Sequence, residues 1–202
     1  TVSLDDFYEA EIILCIGQNP GTNHPRMLSA LETAVKNGAR IVAVNPLREA
    51  GLLGFAHPQK ISGLLNKATP LASQYLQVKI NGDFALFRAL GKELFHREKA
   101  KPGTVIDTRF ITQNTRDFEA YRAICEVSSW KELTDKCSIS REEIGELVDT
   151  ILRGKRRLIT CWAMGLTQHR NAVATIREIA NLHLLLGAIG RPGAGLCPVR
   201  GH

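Results

Sequence analysis

Two short apolar runs with a helical segment between them constrain the fold more than any other part of the sequence. The runs EIILCIG (11–17) and ARIVAVNP (39–46) have the length and unbroken apolar character of strands buried on both faces. Between them, Pro25 is placed to begin a helix and Gly38 is placed to end it. A strand, a helix and a strand within 36 residues predict a right-handed βαβ unit with parallel strands.

Later segments follow the same strand–loop–helix pattern. QYLQVKI (74–80) predicts a third strand, and RLITCWAMG (157–165) predicts a fourth. Capping and apolar periodicity predict helices over 82–96, 115–127, 130–137, 140–152 and 171–190, the fourth beginning with a Ser140–Glu143 capping box.

Two stretches predict no sheet element. Residues 47–74 carry scattered Gly, Pro and Ser and predict a loop with a short helix, and GRPGAGLCPVRGH (190–202) predicts a glycine-rich loop without a closing element. We therefore expect one α/β domain over residues 1–202, Rossmann-like, with a mostly parallel sheet flanked by helices. Because the chain begins without methionine and ends in a predicted loop, we also expect it to be excised from a longer multi-domain chain.

The charge balance argues against some classes of partner. Lys and Arg exceed Asp and Glu by 26 − 20 = 6, and the one tight basic cluster, RGKRR (153–157), is typical of a solvated helix end before a strand. Aromatic residues are too few, and too separate from the basic ones, to indicate nucleic-acid binding. The sequence has neither a signal peptide nor a run of eighteen apolar residues, so we expect no membrane insertion in this segment.

The five cysteines do not indicate a metal site. They have no CxxC or CxH spacing, so we expect no metal ligands among them. Cys15, Cys125 and Cys161 lie inside apolar stretches, where a thiol behaves as a small hydrophobic group. An odd number of loosely spaced cysteines suits a reducing compartment, so we expect a cytoplasmic protein.

Four polar segments follow the predicted strands or begin the helices after them. In an open α/β sheet, ligands bind beyond the carboxyl ends of the strands. Backbone amides at helix N-termini favour phosphate, and the Asp83 carboxylate offers paired acceptors for a guanine edge. The sequence therefore predicts a site for a nucleotide with a diphosphate, formed by GQNPGTNHP (17–25), NPLRE (45–49), NGD (81–83) and MGLTQHR (164–170).

Each of these segments also has a purely structural interpretation. The Asn19–Pro20 step is typical of a turn, and Asp83 is as well placed to cap a helix as to bind a ligand. His169 could cap its helix, while His183 lies on an apolar helix face and is typical of a hydrogen-bonded core histidine.

Taken together, the motifs IGQNPGTNHPRML, VNP, MGLTQH, NLHLLLGAIGRPGAG and PVRGH resemble the molybdopterin-dependent formate dehydrogenase family. Members of that family bind two molybdopterin guanine dinucleotides around one molybdenum. The resemblance implies that this chain is a domain holding one of the two dinucleotides. It does not determine whether the parent enzyme carries an iron–sulfur cluster. It also implies that the remaining domains of a parent enzyme complete the site, and that the parent oxidises a small anionic substrate such as formate to CO2 in a two-electron reaction.

The resemblance assigns roles position by position. Arg200 aligns with the arginine that orients the substrate carboxylate beside the metal, and is the expected catalytic residue. The expected cofactor-binding residues are Gly17, Asn19, Pro20, Thr22 and His24 in the first loop, Asn45, Pro46 and Arg48 after the second strand, Gly82 and Asp83 at the guanine, and Gly165, Thr167, Gln168 and His169 near the pterin.

Two other functions compete with this hypothesis. The first is an ordinary nicotinamide dinucleotide domain, although the first loop lacks GxGxxG and Asn45 stands where an acidic ribose partner is usual. The second is a docking module with a vestigial nucleotide site. Alone, without the other half of the cofactor cradle, we expect the chain to be inactive.

Overall fold

The structure is a computed structural model that describes residues 2–54, 70–154 and 156–199. Within these residues, five strands form one sheet in the order β3-β2-β1-β4-β5, and every neighbouring pair is parallel. The strands are β1 (Ile12–Ile16), β2 (Arg40–Val44), β3 (Ala72–Leu76), β4 (Leu158–Trp162) and β5 (Gly195–Pro198).

Helices connect the strands and cover the sheet. The described helices are α1 (Leu4–Glu9), α2 (Pro20–Asn23), α3 (Pro25–Lys36), α4 (Ala50–Leu53), α5 (Asp83–Ala100), α6 (Thr108–Asn114), α7 (Phe118–Val127), α8 (Trp130–Cys137), α9 (Arg141–Arg153), α10 (Met164–Thr167) and α11 (Ala172–Leu186).

Alternate residues of each central strand enter two separate cores. Leu14 and Val42 belong to a core shared with α5, α7, α8, α9 and α11, whereas Ile13 and Cys15 belong to a core shared with α1, α3 and α4. Every residue of β1 and β4 is buried, because helices cover both faces. The sheet is therefore the middle layer of an α/β/α sandwich, and the predicted fold class is confirmed.

The predicted βαβ unit is present at the expected place. The strand predicted over 11–17 is β1, and the strand predicted over 39–46 is β2. Pro25 is the first residue of α3, and Gly38 follows the end of the helix with φ of 100°, a conformation that favours glycine. The Ser140–Glu143 capping box at α9 forms both of its hydrogen bonds.

Three predicted element ends are wrong by four residues. The helix predicted over 82–96 continues to Ala100. The strand predicted over 74–80 is Ala72–Leu76, because the chain leaves the sheet after Leu76 and the Lys79 N–H donates to the Cys137 carbonyl (2.9 Å). The helix predicted over 171–190 ends at Leu186, because Gly187 adopts φ of 59° in the left-handed region.

The C-terminal prediction is wrong in a different way. The sequence predicts only a loop for residues 190–202, yet Gly195–Pro198 form β5, which pairs in parallel with β4. Gly and Pro disfavour strands, which is why the sequence pattern hides this one. An edge strand tolerates Pro198, since only one side needs the ladder hydrogen bonds.

His183 is a buried, fully hydrogen-bonded core residue, as predicted. Its Nδ1 donates to the Ala188 carbonyl (2.8 Å), so Nε2 of the neutral ring accepts from the Thr160 hydroxyl (2.8 Å). Burial lowers the pKa of His183 from 6.5 to about 4, although the bond to Ala188 opposes this shift. The histidine therefore links α11 to β4 only in its neutral form.

We expect His183 to make the fold sensitive to acid. Between pH 6.5 and 4 the unfolded chain binds a proton that the folded chain excludes, so stability falls as pH falls, by up to about 3 kcal/mol over the whole window. Urea unfolding at pH 7 and pH 5 should show that the difference in stability between wild type and His183→Gln shrinks at pH 5. The exposed His96 on α5 provides the control variant His96→Gln. A His183→Gln difference that is the same at both pH values would contradict this role.

Candidate functional site

The loops after β1 and β4 separate at the carboxyl edge of the sheet. The chain leaving β1 continues into α3 on one face, whereas the chain leaving β4 continues into α11 on the other. β1 and β4 are neighbours, so a crevice opens between their loops. In open α/β sheets, such a change of direction is where ligands bind.

A cavity of about 890 Å³ occupies this edge, within the size range of small-molecule sites. All four segments predicted from the sequence reach it. Its lining residues are Gly17, Gln18, Asn19, Asn23, Asn45, Pro46, Leu47, Glu49, Gln77, Val78, Lys79, Ile80, Asp83, Ser138, Gly165 and His169.

Two glycines form a ridge between this cavity and a second one. A Cβ atom on Gly165 would lie 2.4 Å from the Gly17 carbonyl oxygen, so the two backbones approach more closely than any side chain permits. Gly17 itself has φ of 55°, which also favours glycine. The second cavity, of about 580 Å³, is lined by Gly17, Asn19, Asn23, His24, Trp162, Ala163, Met164, Gly165, Thr167, Ile176, Pro198 and Val199.

Asp83 is the most perturbed charged group in the larger cavity. It is the first residue of α5, and only 4% of its surface is exposed. Burial raises the pKa of Asp83 from 3.8 to about 6, while its own backbone N–H and the nearby His169 act in the opposite direction. A desolvated carboxylate in a cavity is a typical ligand-binding group.

Asn45 fixes the geometry between the β1 and β2 loops. Its Oδ1 accepts from the Gln18 N–H (3.1 Å) and its Nδ2 donates to the Gln18 carbonyl (2.8 Å). Asn45 is 3% exposed, so this pair is shielded from water. The Asn45 side chain therefore serves mainly to hold the first loop against the second.

Asn19 and Glu49 join the same two loops nearer to the surface. The Asn19 Oδ1 caps α2 by accepting from the Thr22 N–H (3.1 Å), and its Nδ2 donates to Glu49 Oε2 (2.6 Å). The Glu49 N–H donates to the Tyr75 hydroxyl (3.1 Å), which in turn donates to the Leu47 carbonyl. These hydrogen bonds connect the loops after β1 and β2 to each other and to Tyr75 of β3 at the edge of the cavity.

The structure brings together most of the residues predicted to bind the cofactor. The exposed exceptions are Thr22, Arg48 and Gln168, of which Arg48 stacks on Tyr75 (5.8 Å) and Gln168 contacts Met164. Gly82 packs on the end of α8, where a Cβ would lie 2.8 Å from the Cys137 Cα. Of the predicted residues, the larger cavity is lined by Gly17, Asn19, Asn45, Pro46, Asp83, Gly165 and His169, and the smaller cavity adds His24 and Thr167. Neither cavity is lined by Pro20, Thr22, Arg48, Gly82 or Gln168. The predicted catalytic residue, Arg200, lies outside the described residues.

Sequence reasoning missed two charged residues of the larger cavity. Glu49 lies in the predicted NPLRE segment, which gives it no role of its own, and Lys79 lies inside the predicted third strand. An acidic residue soon after the second strand was the available signal for Glu49. Lys79 had no such signal, because its position depends on where β3 ends.

The part of the chain that the structure describes contains neither a metal-binding cluster nor a membrane-spanning helix. No group of three or more His, Cys, Asp or Glu side chains in ranges 2–54, 70–154 and 156–199 could hold a metal ion. Across the same part of the chain, no helix has both the length and the apolar character needed to cross a bilayer.

Comparison with known proteins identifies relatives of the whole chain. The family model described as Molybdopterin oxidoreductase matches residues 1–200. An uncharacterized oxidoreductase of Mycobacterium tuberculosis (strain ATCC 25618 / H37Rv) is 46% identical over 202 residues, covering 100% of this chain and 26% of that protein. Formate dehydrogenase H of Escherichia coli (strain K12) is 27% identical over 199 residues, covering 98% of this chain and 24% of that protein.

A solved structure supports the same fold. Acetylene hydratase from Pelobacter acetylenicus aligns with a TM-score of 0.72 and 16% identity, over 95% of this chain and 25% of that chain. At this identity, the likeness concerns the fold alone. The chain spans about a quarter of the length of the curated relatives that it matches.

Proposed function

The chain belongs to the molybdopterin oxidoreductase family, and we propose that it binds one molybdopterin guanine dinucleotide of a larger molybdenum enzyme. The family predicted from the sequence motifs is thereby confirmed, while the dinucleotide form of the cofactor is our proposal. One observation carries it: four loops from separate parts of the sequence line a single cavity of about 890 Å³ at the carboxyl edge of the sheet.

The cavities fit a long, two-ended ligand. Gly17 and Gly165 line both cavities, so a ligand crossing their ridge would have one end in each. Asn19 and Asn23 line both cavities as well, so a diphosphate crossing the ridge would meet two amide side chains besides the glycine backbone. We assign the larger cavity to the guanosine end and the smaller one, with Trp162 and Met164, to the pterin end.

The charged residues of the larger cavity suit the guanosine end of the ligand. The two carboxylate oxygens of Asp83 accept from the paired N–H donors of guanine. The exposed Lys79 ammonium lines the same cavity and offers a cation for the diphosphate. His169 adds a second basic group close to Asp83.

The parent enzyme is a two-electron oxidoreductase in this proposal. When bound, the cofactor and its molybdenum would supply the two-electron redox chemistry. The residues of this chain bind and orient the cofactor, and Arg200 anchors a small anionic substrate such as formate through its planar pair of N–H donors. The remaining domains of the parent supply the other half of the cradle, and a cytoplasmic location is part of the same proposal.

Nucleotide titration distinguishes this proposal from its two competitors. We expect guanosine diphosphate to bind the purified chain in isothermal titration calorimetry, and NADH to bind at least tenfold more weakly, because Asp83 recognises guanine. Tighter binding of NADH would favour a nicotinamide domain. Binding of neither nucleotide would favour a docking module and would contradict the proposal.

A further inference from the structure

Three cysteines lie side by side across three neighbouring strands of the sheet. Cys15 of β1 is in register with Cys161 of β4, and Cys161 is in register with Cys197 of β5. None of the three thiols lines either cavity, and the proposed function uses none of them. We infer that Cys197 and Cys161 form a thiol oxidation site, at which hydrogen peroxide converts the pair to a reversible disulfide.

The strand register brings the two thiols of this pair together. Neighbouring strands lie about 4.8 Å apart, and the Cα atoms joined by a disulfide are usually about 4.4–6.8 Å apart. Cys15 and Cys161 belong to the core shared with α1, α3 and α4, and Cys197 packs against the same core, so all three side chains lie on one face of the sheet. A disulfide between Cys161 and Cys197 can therefore form without a change in strand register.

Cys197 is the thiol at which the oxidant enters. It is half-buried on the edge strand β5, whereas Cys15 and Cys161 are fully buried. A hydrogen bond from the Cys161 thiol lowers the pKa of Cys197, although burial acts in the opposite direction. Burial raises the pKa of Cys161, so that thiol stays protonated. Because the thiolate is the reactive form, the accessible sulfur is also the more nucleophilic one.

The reaction consumes one peroxide and two thiols. The Cys197 thiolate attacks one peroxide oxygen, so an S–O bond forms, the O–O bond breaks, and the released hydroxide takes up the proton that Cys197 lost on ionisation. The Cys161 sulfur then attacks the sulfur of the Cys197 sulfenic acid, so the S–S bond forms, the S–O bond breaks, and hydroxide leaves with the Cys161 proton as a second water. The two thiols lose two electrons, which reduce the peroxide to two waters.

The site lies directly beside the smaller cavity. Trp162 follows Cys161, Pro198 follows Cys197, and both of these residues line that cavity. The Val199 N–H donates to the Trp162 carbonyl (2.9 Å), so the two strands are still paired beyond the cysteines. A disulfide would add a covalent bond between the two strands that carry these lining residues.

Peroxide treatment followed by peptide mapping tests the inference. Reduced wild type, Cys197→Ala, Cys161→Ala and the control Cys125→Ala, which removes a buried thiol of α7, are treated with an about tenfold excess of hydrogen peroxide without denaturant. We expect mass spectrometry to show that wild type and the control lose two hydrogen atoms and contain one disulfide, between Cys161 and Cys197. Dithiothreitol should restore the original mass.

The two pair variants distinguish the roles of the thiols. Cys161→Ala should stop at a Cys197 sulfenic acid, which dimedone traps, because the second thiol is missing. Cys197→Ala should form neither the disulfide nor a dimedone adduct at a comparable rate, and circular dichroism checks that both variants are folded.

The result for wild type decides the inference even if a variant does not fold. We expect Cys197 to react at least tenfold faster than Cys125 and Cys137, which are buried elsewhere. A disulfide between Cys15 and Cys161 would contradict the assigned pair. Folded wild type that keeps all its thiols would show that the three cysteines only pack as small hydrophobic groups, and the inference would be wrong. Neither outcome depends on nucleotide binding, so the proposed function is tested separately.

Discussion

Replacing Asp83 with asparagine is expected to stabilise the ligand-free chain while removing its recognition of guanine. Burial raises the pKa of Asp83 to about 6, so the folded state holds the proton more tightly than the unfolded state does between pH 3.8 and 6. Stability therefore falls as pH rises through that window, and the full cost is present at pH 7. Asparagine cannot ionise, so Asp83→Asn should raise the free energy of unfolding at pH 7 by about 1–3 kcal/mol.

The same substitution should act in the opposite direction on binding. Guanine presents two N–H donors to the carboxylate, and one of them would meet the amide donor of asparagine, leaving both unpaired. We expect guanosine diphosphate to bind Asp83→Asn at least 100-fold more weakly in calorimetry. Xanthosine diphosphate, which has a carbonyl acceptor in place of the guanine amino group, should instead bind the variant more tightly than it binds wild type.

A control variant and a measurement at low pH test whether the effect of Asp83→Asn comes from the charge of Asp83. Asp5→Asn changes an exposed carboxylate in the first turn of α1 and should alter neither nucleotide binding nor stability near pH 7 by a comparable amount. Below pH 3.8, where wild-type Asp83 is protonated in both states, the stability gain of Asp83→Asn should vanish. A gain that persists there would mean that the substitution acts through packing instead of charge.

The parts of the fold that the sequence predicts well are those in which one local signal and the tertiary structure agree. β1 and β2 are buried on both faces, so their apolar runs are continuous, and Pro25 and Gly38 mark the ends of the helix between them. β5 has no such local signal, because Gly195 and Pro198 are poor strand residues. Its pairing with β4 is a tertiary contact that no local pattern encodes.

The sequence also predicts one part of the candidate site, the loops that meet there, but not the directions of their side chains. Strand ends predict which loops meet, because the carboxyl ends of parallel strands share an edge. They do not predict which way each side chain turns: Arg48 turns to Tyr75, and the exposed Gln168 lines neither cavity. Lys79 enters the cavity because the chain leaves the sheet after Leu76, four residues before the predicted end of the strand.

The second large effect is expected at the glycine ridge, from Gly165→Ala. The new Cβ would lie 2.4 Å from the Gly17 carbonyl oxygen and 2.8 Å from the Gly17 Cα. Both are backbone atoms at the end of a buried strand, so neither can rotate away as a flexible side chain would. The β1 and β4 loops must move apart, which we expect to lower the free energy of unfolding by about 1–3 kcal/mol.

Because the ridge borders both cavities, the same displacement should disturb ligand binding beyond its effect on stability. We expect Gly165→Ala to bind guanosine diphosphate at least tenfold more weakly at a temperature where circular dichroism shows the variant to be folded. Gly145→Ala is the matched control, since its Cβ would meet only the end of the Arg97 side chain at 3.5 Å. Gly145 lies within α9, where alanine is the better helix former, so this variant should be up to about 1 kcal/mol more stable and bind normally. Wild-type affinity in folded Gly165→Ala would mean that the contact between the two loops does not shape the nucleotide site, and the assignment of one ligand to both cavities would have to be abandoned.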